Sequence, residues 1–309
     1  MLIKKFILEE DFSKLEEYLR KQYIKTKTMQ SWLPQRLNDL VYRMDRQYLD
    51  KGMPKSSDFI TMWIENNEIV GCILPDGDAI YISTENENIF EEILDYAEEN
   101  CKPLFEVKDD KTIDFLVVSN DSLKYREDIL IKKGYKKQEE QDYDNYIYPL
   151  EFEVNIKLPE GFKLVYGNEY DNELNKWSAC NLGFHPDLEN PNYKNDLGAY
   201  NSRKLSPLYA DSLECLVIEE NSNETNDVCS YCFVYIDKKS KTAFIEPVST
   251  REKYRHKGIG TAMMHGVINK CKELQIEKCY VNSYDWRRKF YNAAGFGTED
   301  SIGFWTRKI

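Results

Sequence analysis

The sequence predicts an α/β (α+β) chain of two units with similar design, and three observations carry that prediction. Its 309 residues suffice for about two domains, each with its own core. Two segments, SNDSLKYREDILIKKGY (119–135) and SYDWRRKFYNAAGF (283–296), both read as a helix closing on Gly-aromatic. Upstream of each lies a hairpin pattern: DFITMWIENNEIVGCILP turns at Asn66-Asn67, and CSYCFVYIDKKSKTAFIEPVST turns within 237–241.

Taken in order, the first half carries apolar spacing for helices near 9–21, 34–50 and 88–100. Its hairpin is followed by the strand GDAIYIST, the third helix, a further strand and the closing helix. The boundary falls within 150–161, where Pro159-Glu160-Gly161 is a turn signal just before a new strand, FKLVY. The domains expected are therefore 1–150 and 161–309. In the second half, helices fall near 169–181, 192–203, 259–274 and 286–294. Between the first two, NLGFHPDLENPNYKND (181–196) is a Pro/Asn-rich loop long enough to border a site.

Composition bounds the function. The chain is 41% apolar and 31% charged, as in a soluble globular protein, and no apolar run approaches the roughly 18 residues of a membrane span. The segment MLIKKFILEEDF turns acidic too soon for a signal peptide, so a cytoplasmic protein without a membrane partner is expected. A net charge of −12 opposes nonspecific nucleic-acid binding, which needs basic surface to displace counterions. It is compatible with a cationic substrate such as an amine, drawn by the field, and equally with a soluble surface kept monodisperse by its charge. Cys229 and Cys232 of CSYC lie three apart in a strand-like run, which turns them to opposite faces. With no second CxxC or finger-spaced histidine, no metal site is expected.

One basic turn stands out against this acidity. In TAFIEPVSTREKYRHKGIGTAMMHGVINKCKEL a β-like run, 242–250, passes through a charged bend into Gly258-Ile259-Gly260 and an apolar-faced helix. Arg251, Lys253, Arg255 and Lys257 against Glu252 make the bend locally +3 (4 − 1). A strand–turn–helix of this kind aims free backbone N–H groups at one point and suits a phosphate or pyrophosphate. Glycines at 258 and 260 allow close approach and left-handed backbone. The third glycine of a dinucleotide fingerprint and the Gly-Lys-Ser/Thr of a P-loop are both lacking.

The stretch Arg255-x-x-Gly258-x-Gly260 resembles the acyl-CoA loop of the GNAT superfamily of N-acyltransferases. Glu-Pro-Val before it (246–248) and FYNAAGF (290–296) after it resemble that family's flanking patterns, in the right order, over about residues 160–309. The resemblance implies two tandem GNAT-like domains, each a mixed, mostly antiparallel sheet flanked by helices. It implies acetyl-CoA as co-substrate, with the backbone from Lys257 through Gly258, Ile259 and Gly260 to Thr261 holding the pyrophosphate. Side chains of Arg255, His256 and Lys257 would flank that group. Backbone groups of Val248, Ser249 and Thr250 would pair with the pantetheine arm.

Acyl transfer from a thioester needs a neutral amine, a stabilised oxyanion and a proton for the departing thiolate. By the resemblance Tyr291 is the acid, and a phenol's pKa of about 10 lies near that of a thiol. Glu246, on the strand feeding the loop, is the candidate base or amine ligand, with His185 as runner-up and His265 expected at the solvent. Tyr284 stands where the family often has a cofactor-contacting Asn, a place Asn282 or Ser283 would have to fill. The first half resembles the same fold without its chemistry. After its strand come ENENIFEEIL, with no glycine and four acids (Glu85, Glu87, Glu91, Glu92), and Leu130 stands where the count from Gly134 asks for the tyrosine. The expected protein is an N-acetyltransferase of a small-molecule primary amine, acting as a monomer or homodimer. Two alternatives stand beside it: a non-catalytic acyl-CoA-binding regulator, and acetylation of a protein or peptide amine.

Overall fold

The structure, a computed structural model, describes residues 1–29, 32–139, 143–150, 153–186 and 197–309. Most of the expected 181–196 loop, and the start of the helix expected at 192–203, lie outside the described residues. Two compact units emerge. The first comprises Met1–Asn145, Asn282–Asp285 and Thr298–Ile309, and the second Tyr146–Val281 and Trp286–Gly297. The units are thus not the contiguous stretches 1–150 and 161–309, because segments near the end of the chain lie with the first half.

In the first unit the chain runs β1 (Leu2–Lys5), α1 (Leu8–Thr26), α2 (Pro34–Asp39), α3 (Asp45–Asp50), β2 (Thr61–Glu65), β3 (Glu68–Asp76), β4 (Ala79–Thr84), α4 (Glu87–Asn100), β5 (Asp114–Asn120), α5 (Lys124–Lys132) and β6 (Lys136–Lys137). The helix expected over 34–50 is continuous through a π-helical stretch, Leu40–Met44, that joins α2 to α3. The sheet order is β1-β2-β3-β4-β5, completed by β13 (Gly297–Lys308). β13 pairs antiparallel with β5 from Ile302↔Asn120 to Lys308↔Asp114. Asn66 and Asn67 both have positive φ (51° and 64°) in the β2–β3 turn, as a two-residue hairpin of matching twist requires.

Side-chain alternation sorts this sheet into two cores. Met62, Cys72, Leu74, Tyr81, Val118 and Phe304 pack with Leu15, Leu19, Leu37 and Leu40 of the first helices. Their neighbours Trp63, Ile73, Ile80, Ile82, Val117 and Trp305 pack on the other face with Phe90, Ile93, Leu94, Ala97 and Leu130. This burial on both faces explains a correction at 119–135: the strand runs on through Asn120, and the helix begins only at Lys124.

The second unit holds β7 (Tyr143–Pro149, from Tyr146 on), β8 (Phe162–Tyr166), α6 (Glu173–Phe184), α7 (Gly198–Arg203), β9 (Glu214–Glu219), β10 (Val228–Asp237), β11 (Thr242–Thr250), α8 (Ile259–Glu273), β12 (Lys278–Tyr284, up to Val281) and α9 (Arg288–Ala293). Its strand order is β7-β12-β11-β10-β9-β8. Asn172 caps α6, accepting from the Asn175 N–H at 3.0 Å, so this helix starts later than the spacing at 169–181 suggests. α6 and β9 are joined by a buried ion pair, Lys176 Nζ to Glu214 Oε2 at 2.9 Å. Glu214 also accepts from the hydroxyls of Tyr231 (2.9 Å) and Tyr200 (3.2 Å). All eight cysteines are buried free thiols, and burial pushes the Cys229 thiol up to about 12. Among the described residues no helix is long and apolar enough to cross a membrane.

Candidate active site

The site of the second unit begins with a strand that loses a partner. β11 pairs in parallel with β12 only at Thr242↔Lys278, Ala243↔Cys279 and Phe244↔Tyr280. On its other side it follows β10 to Ser230↔Thr250, with a register shift between Val234↔Ile245 and Cys232↔Val248. The extra residue falls at Glu246-Pro247, a place where a proline without an N–H is tolerated. Beyond Phe244, then, one edge of β11 is released from β12. Val248, Ser249 and Thr250 lie on this released stretch, and half-buried Glu246 sits at the bulge.

The loop that follows is pinned from below. Buried Arg251 donates from Nη1 to the carbonyls of Asn226 (3.0 Å) and Val228 (3.3 Å). Tyr254 donates its hydroxyl to Glu219 Oε2 at 2.8 Å. The Tyr254 ring lies under the ammonium groups of Lys253 (4.9 Å) and Lys257 (5.6 Å), within the range of cation–π attraction. Lys253 also pairs with Glu224. Arg255 closes the loop, its Nε donating to Thr250 O at 3.1 Å and its Nη2 to Gly183 O at 2.7 Å. The sequence reading set this guanidinium beside a pyrophosphate; here it ties the loop to the end of β11 and to α6. His256 and Lys257 are exposed on the rim.

The chain then enters α8 through Gly258, whose φ is +79°, with no side-chain cap. Ala262 N–H is the first to find a helical partner, Gly258 O at 2.9 Å. The N–H groups of Ile259, Gly260 and Thr261 have no acceptor among the described residues. Three uncapped donors at the positive end of a 15-residue helix fit an anion. A Cβ at Gly260 would stand 2.9 Å from Thr250 Oγ1 and 3.0 Å from Phe290 Cε2, whereas one at Gly258 would meet nothing within 4 Å. The cradle is open at Gly258 and tight at Gly260. These residues therefore fit the pyrophosphate and extended arm of CoA.

Tyr291, on α9, is 2% exposed. Its ring is stacked on Tyr146 of β7, with centroids 4.5 Å apart and planes at 27°. Phe296 meets it edge-on at 6.1 Å and Phe290 at 5.0 Å. Through Phe290, which lies against Gly260, α9 packs at the head of α8. The expected site residues from Val248 to Thr261 are thus brought together by one strand–loop–helix, and α9, which carries Tyr291, reaches that helix through Phe290 at Gly260.

Other candidates fall elsewhere. His185 is exposed at the end of α6. His265 is not simply solvent-facing: its Nδ1 lies 3.2 Å from Asn155 O. Asn282 donates its side-chain amide to Asn145 Oδ1 at 2.8 Å, Ser283 is buried, and Tyr284 is exposed. Sequence reasoning missed Gly183, Tyr254 and Tyr146. A Cβ at Gly183 would fall 2.4 Å from Ser249 Oγ and 2.9 Å from Thr250 N, so glycine lets α6 lie directly on β11. Only Tyr254, inside the basic bend, carried a local signal.

The acetyltransferase (GNAT) family model matches residues 177–296. No curated protein is significantly similar in sequence. A GCN5-related N-acetyltransferase from Sphaerobacter thermophilus superposes with a TM-score of 0.65 at 12% identity, over 99% of this chain and 95% of that one. A tandem GNAT protein from the clavulanic acid biosynthesis pathway gives 0.62 at 13% identity, over 99% and 98%. An acetyltransferase of the same family from Colwellia psychrerythraea gives 0.55 at 11%, over 99% and 100%. At these identities the likeness is one of fold, and it runs the length of the chain.

Proposed function

We propose, for a chain whose residues 177–296 are a domain of the acetyltransferase (GNAT) family, that it transfers the acetyl group of acetyl-CoA directly to the primary amine of a small molecule. The observation that carries this reading is the pairing of an uncapped α8 terminus with a β11 edge released after Phe244. Bound acetyl-CoA supplies an activated thioester carbonyl. The free N–H groups of Ile259, Gly260 and Thr261 hold the pyrophosphate, and the β11 backbone at Val248–Thr250 aligns the amide-bearing arm. An acceptor that arrives as a cation gives its extra proton to solvent before attack. Glu246 takes the proton that the neutral amine sheds as a C–N bond replaces the C–S bond. Tyr291 gives its phenolic proton to the departing sulfur, sheltered from bulk water by Tyr146, Phe290 and Phe296. The net charge of −12 supports a cationic acceptor, drawn in by the field.

The test has two stages. Calorimetric titration with acetyl-CoA is expected to show binding; none would sink the reading. A panel of small amines, followed by release of free thiol, is then expected to yield turnover with at least one. Binding without thiol release across small amines, but with release on peptide amines, would move the acceptor to a protein terminus or side chain. Binding with no release on either would make the protein an acyl-CoA-binding regulator.

A further inference from the structure

The first unit repeats the geometry that opens the cleft in the second. β4 pairs in parallel with β5 only at Ala79↔Leu116, Ile80↔Val117 and Tyr81↔Val118, so it too is released after three residues. What lies against the released stretch differs. Arg126, on α5 and 2% exposed, donates from Nη1 to Ile82 O at 3.0 Å and from Nη2 to Thr84 O at 2.9 Å. These carbonyls are two residues apart and therefore face the same way. The Ser83 carbonyl between them accepts from the Tyr18 hydroxyl at 3.1 Å. The Arg126 guanidinium is further held over the Phe90 ring at 4.9 Å and by Nε to the Tyr125 hydroxyl at 3.2 Å.

Little space remains. The cavity beside Arg126, lined in part by Gln22, Trp32, Ser83 and Thr84, measures about 10 Å³, room for about one water. A larger cavity of about 600 Å³ adjoins at Gln22, but Glu65, Glu85 and Glu87 line it, a poor setting for phosphates. The second unit has an arginine at the same count, eight residues before its closing glycine: Arg287 before Gly295, as Arg126 stands before Gly134. Arg287 turns outward, its guanidinium 4.6 Å from the ring of Trp286, which is 68% exposed, and 6.0 Å from that of Phe184. One arginine closes its cleft and the other leaves its cleft open.

We infer that Arg126 is a built-in occupant of the first unit's cleft, satisfying the strand carbonyls that a pantetheine arm would otherwise meet, so that the chain takes a single acyl-CoA, in the second unit. The stoichiometry rests on the proposed function; the plug itself does not. Burying a fork of two charge-assisted donors on two carbonyls is a role that neither an ammonium nor a neutral side chain reproduces.

Two measurements on the full chain test this. Titration with CoA is expected to saturate at one site per chain, and two sites would overturn the inference. Arg126→Ala is expected to lower Tm by roughly 5 °C or more, because buried carbonyls lose their donors. Millimolar methylguanidinium is expected to recover part of that loss in the variant while leaving the wild type unchanged. If the alanine variant does not fold, Arg126→Lys replaces it, with a smaller expected loss and no recovery. An alanine variant as stable as wild type, or one indifferent to methylguanidinium, would overturn the plug. A wild type that binds no CoA would remove the proposed function, while the methylguanidinium response still decides on Arg126.

Discussion

The ring of Tyr291 is stacked on that of Tyr146, so the candidate acid of the second unit is oriented by the strand that leaves the first half of the chain. With both rings nearly inaccessible, at 2% and 0%, the phenol has little freedom to turn. Tyr291→Phe keeps the ring packing and removes the phenolic hydroxyl, the proposed proton donor. It is expected to lower kcat by about 10²-fold or more with KM for acetyl-CoA nearly unchanged. Unaltered kcat across the pH range would remove Tyr291 from the chemistry.

Glycines near the loop should differ in what they tolerate. Gly183→Ala puts a Cβ 2.9 Å from the Thr250 backbone nitrogen and closer still to Ser249, forcing α6 away from β11. An increase of about tenfold in KM for acetyl-CoA is expected, since small displacements of binding groups are costly. Gly258→Ala has open space but a left-handed φ of +79°, and should cost about 1 kcal/mol in stability. Equal effects of the two on KM would contradict this account of α6.

The buried Lys176–Glu214 pair predicts an asymmetry. Lys176→Met strands a carboxylate that is wholly buried and should destabilise by about 3–5 kcal/mol. The double variant Lys176→Met/Glu214→Gln should recover part of that loss. Denaturant unfolding of the three proteins measures it, and a double variant less stable than the single would contradict the prediction.

Asp45 gives a pH dependence. Burial pushes its carboxyl up to about 6, against the hydrogen bond from Ser57 N–H at 3.2 Å, whereas an unfolded aspartate titrates near about 3.9. Between those values the folded chain binds more protons than the unfolded one. Stability therefore falls as pH rises from about 4 to about 6 and stays at the lower level above. Asp45→Asn retains an acceptor for Ser57 and is expected to raise Tm at pH 8, with the gain shrinking toward pH 4. A gain independent of pH would refute the assignment.

Much of this was legible locally. Asn66-Asn67 announces its hairpin, FKLVY is β8 to the residue, and the basic glycine turn marks the head of α8. Each rests on neighbours in sequence. Glu246-Pro247 stood in the sequence only as part of a family pattern; the bulge it makes against β10 depends on the pairing of two strands and is not written in either one. What sequence could not supply was set by distant residues: Arg255 reaching Gly183, Tyr146 beneath Tyr291, Arg126 turned in where Arg287 turns out. The two arginines have the same type and the same count, and only their surroundings send them to opposite places.

β13 carries a consequence for how the protein is made. Ile302 lies opposite Asn120 in the first unit's sheet, a separation of 302 − 120 = 182 residues. A ribosome adding roughly 5–20 residues per second leaves β5 waiting on the order of ten to forty seconds for that neighbour. During this interval the nascent first half exposes an unpaired strand edge, open to association with another copy or to capture by a chaperone. The half that is synthesised first is thus the last to be finished.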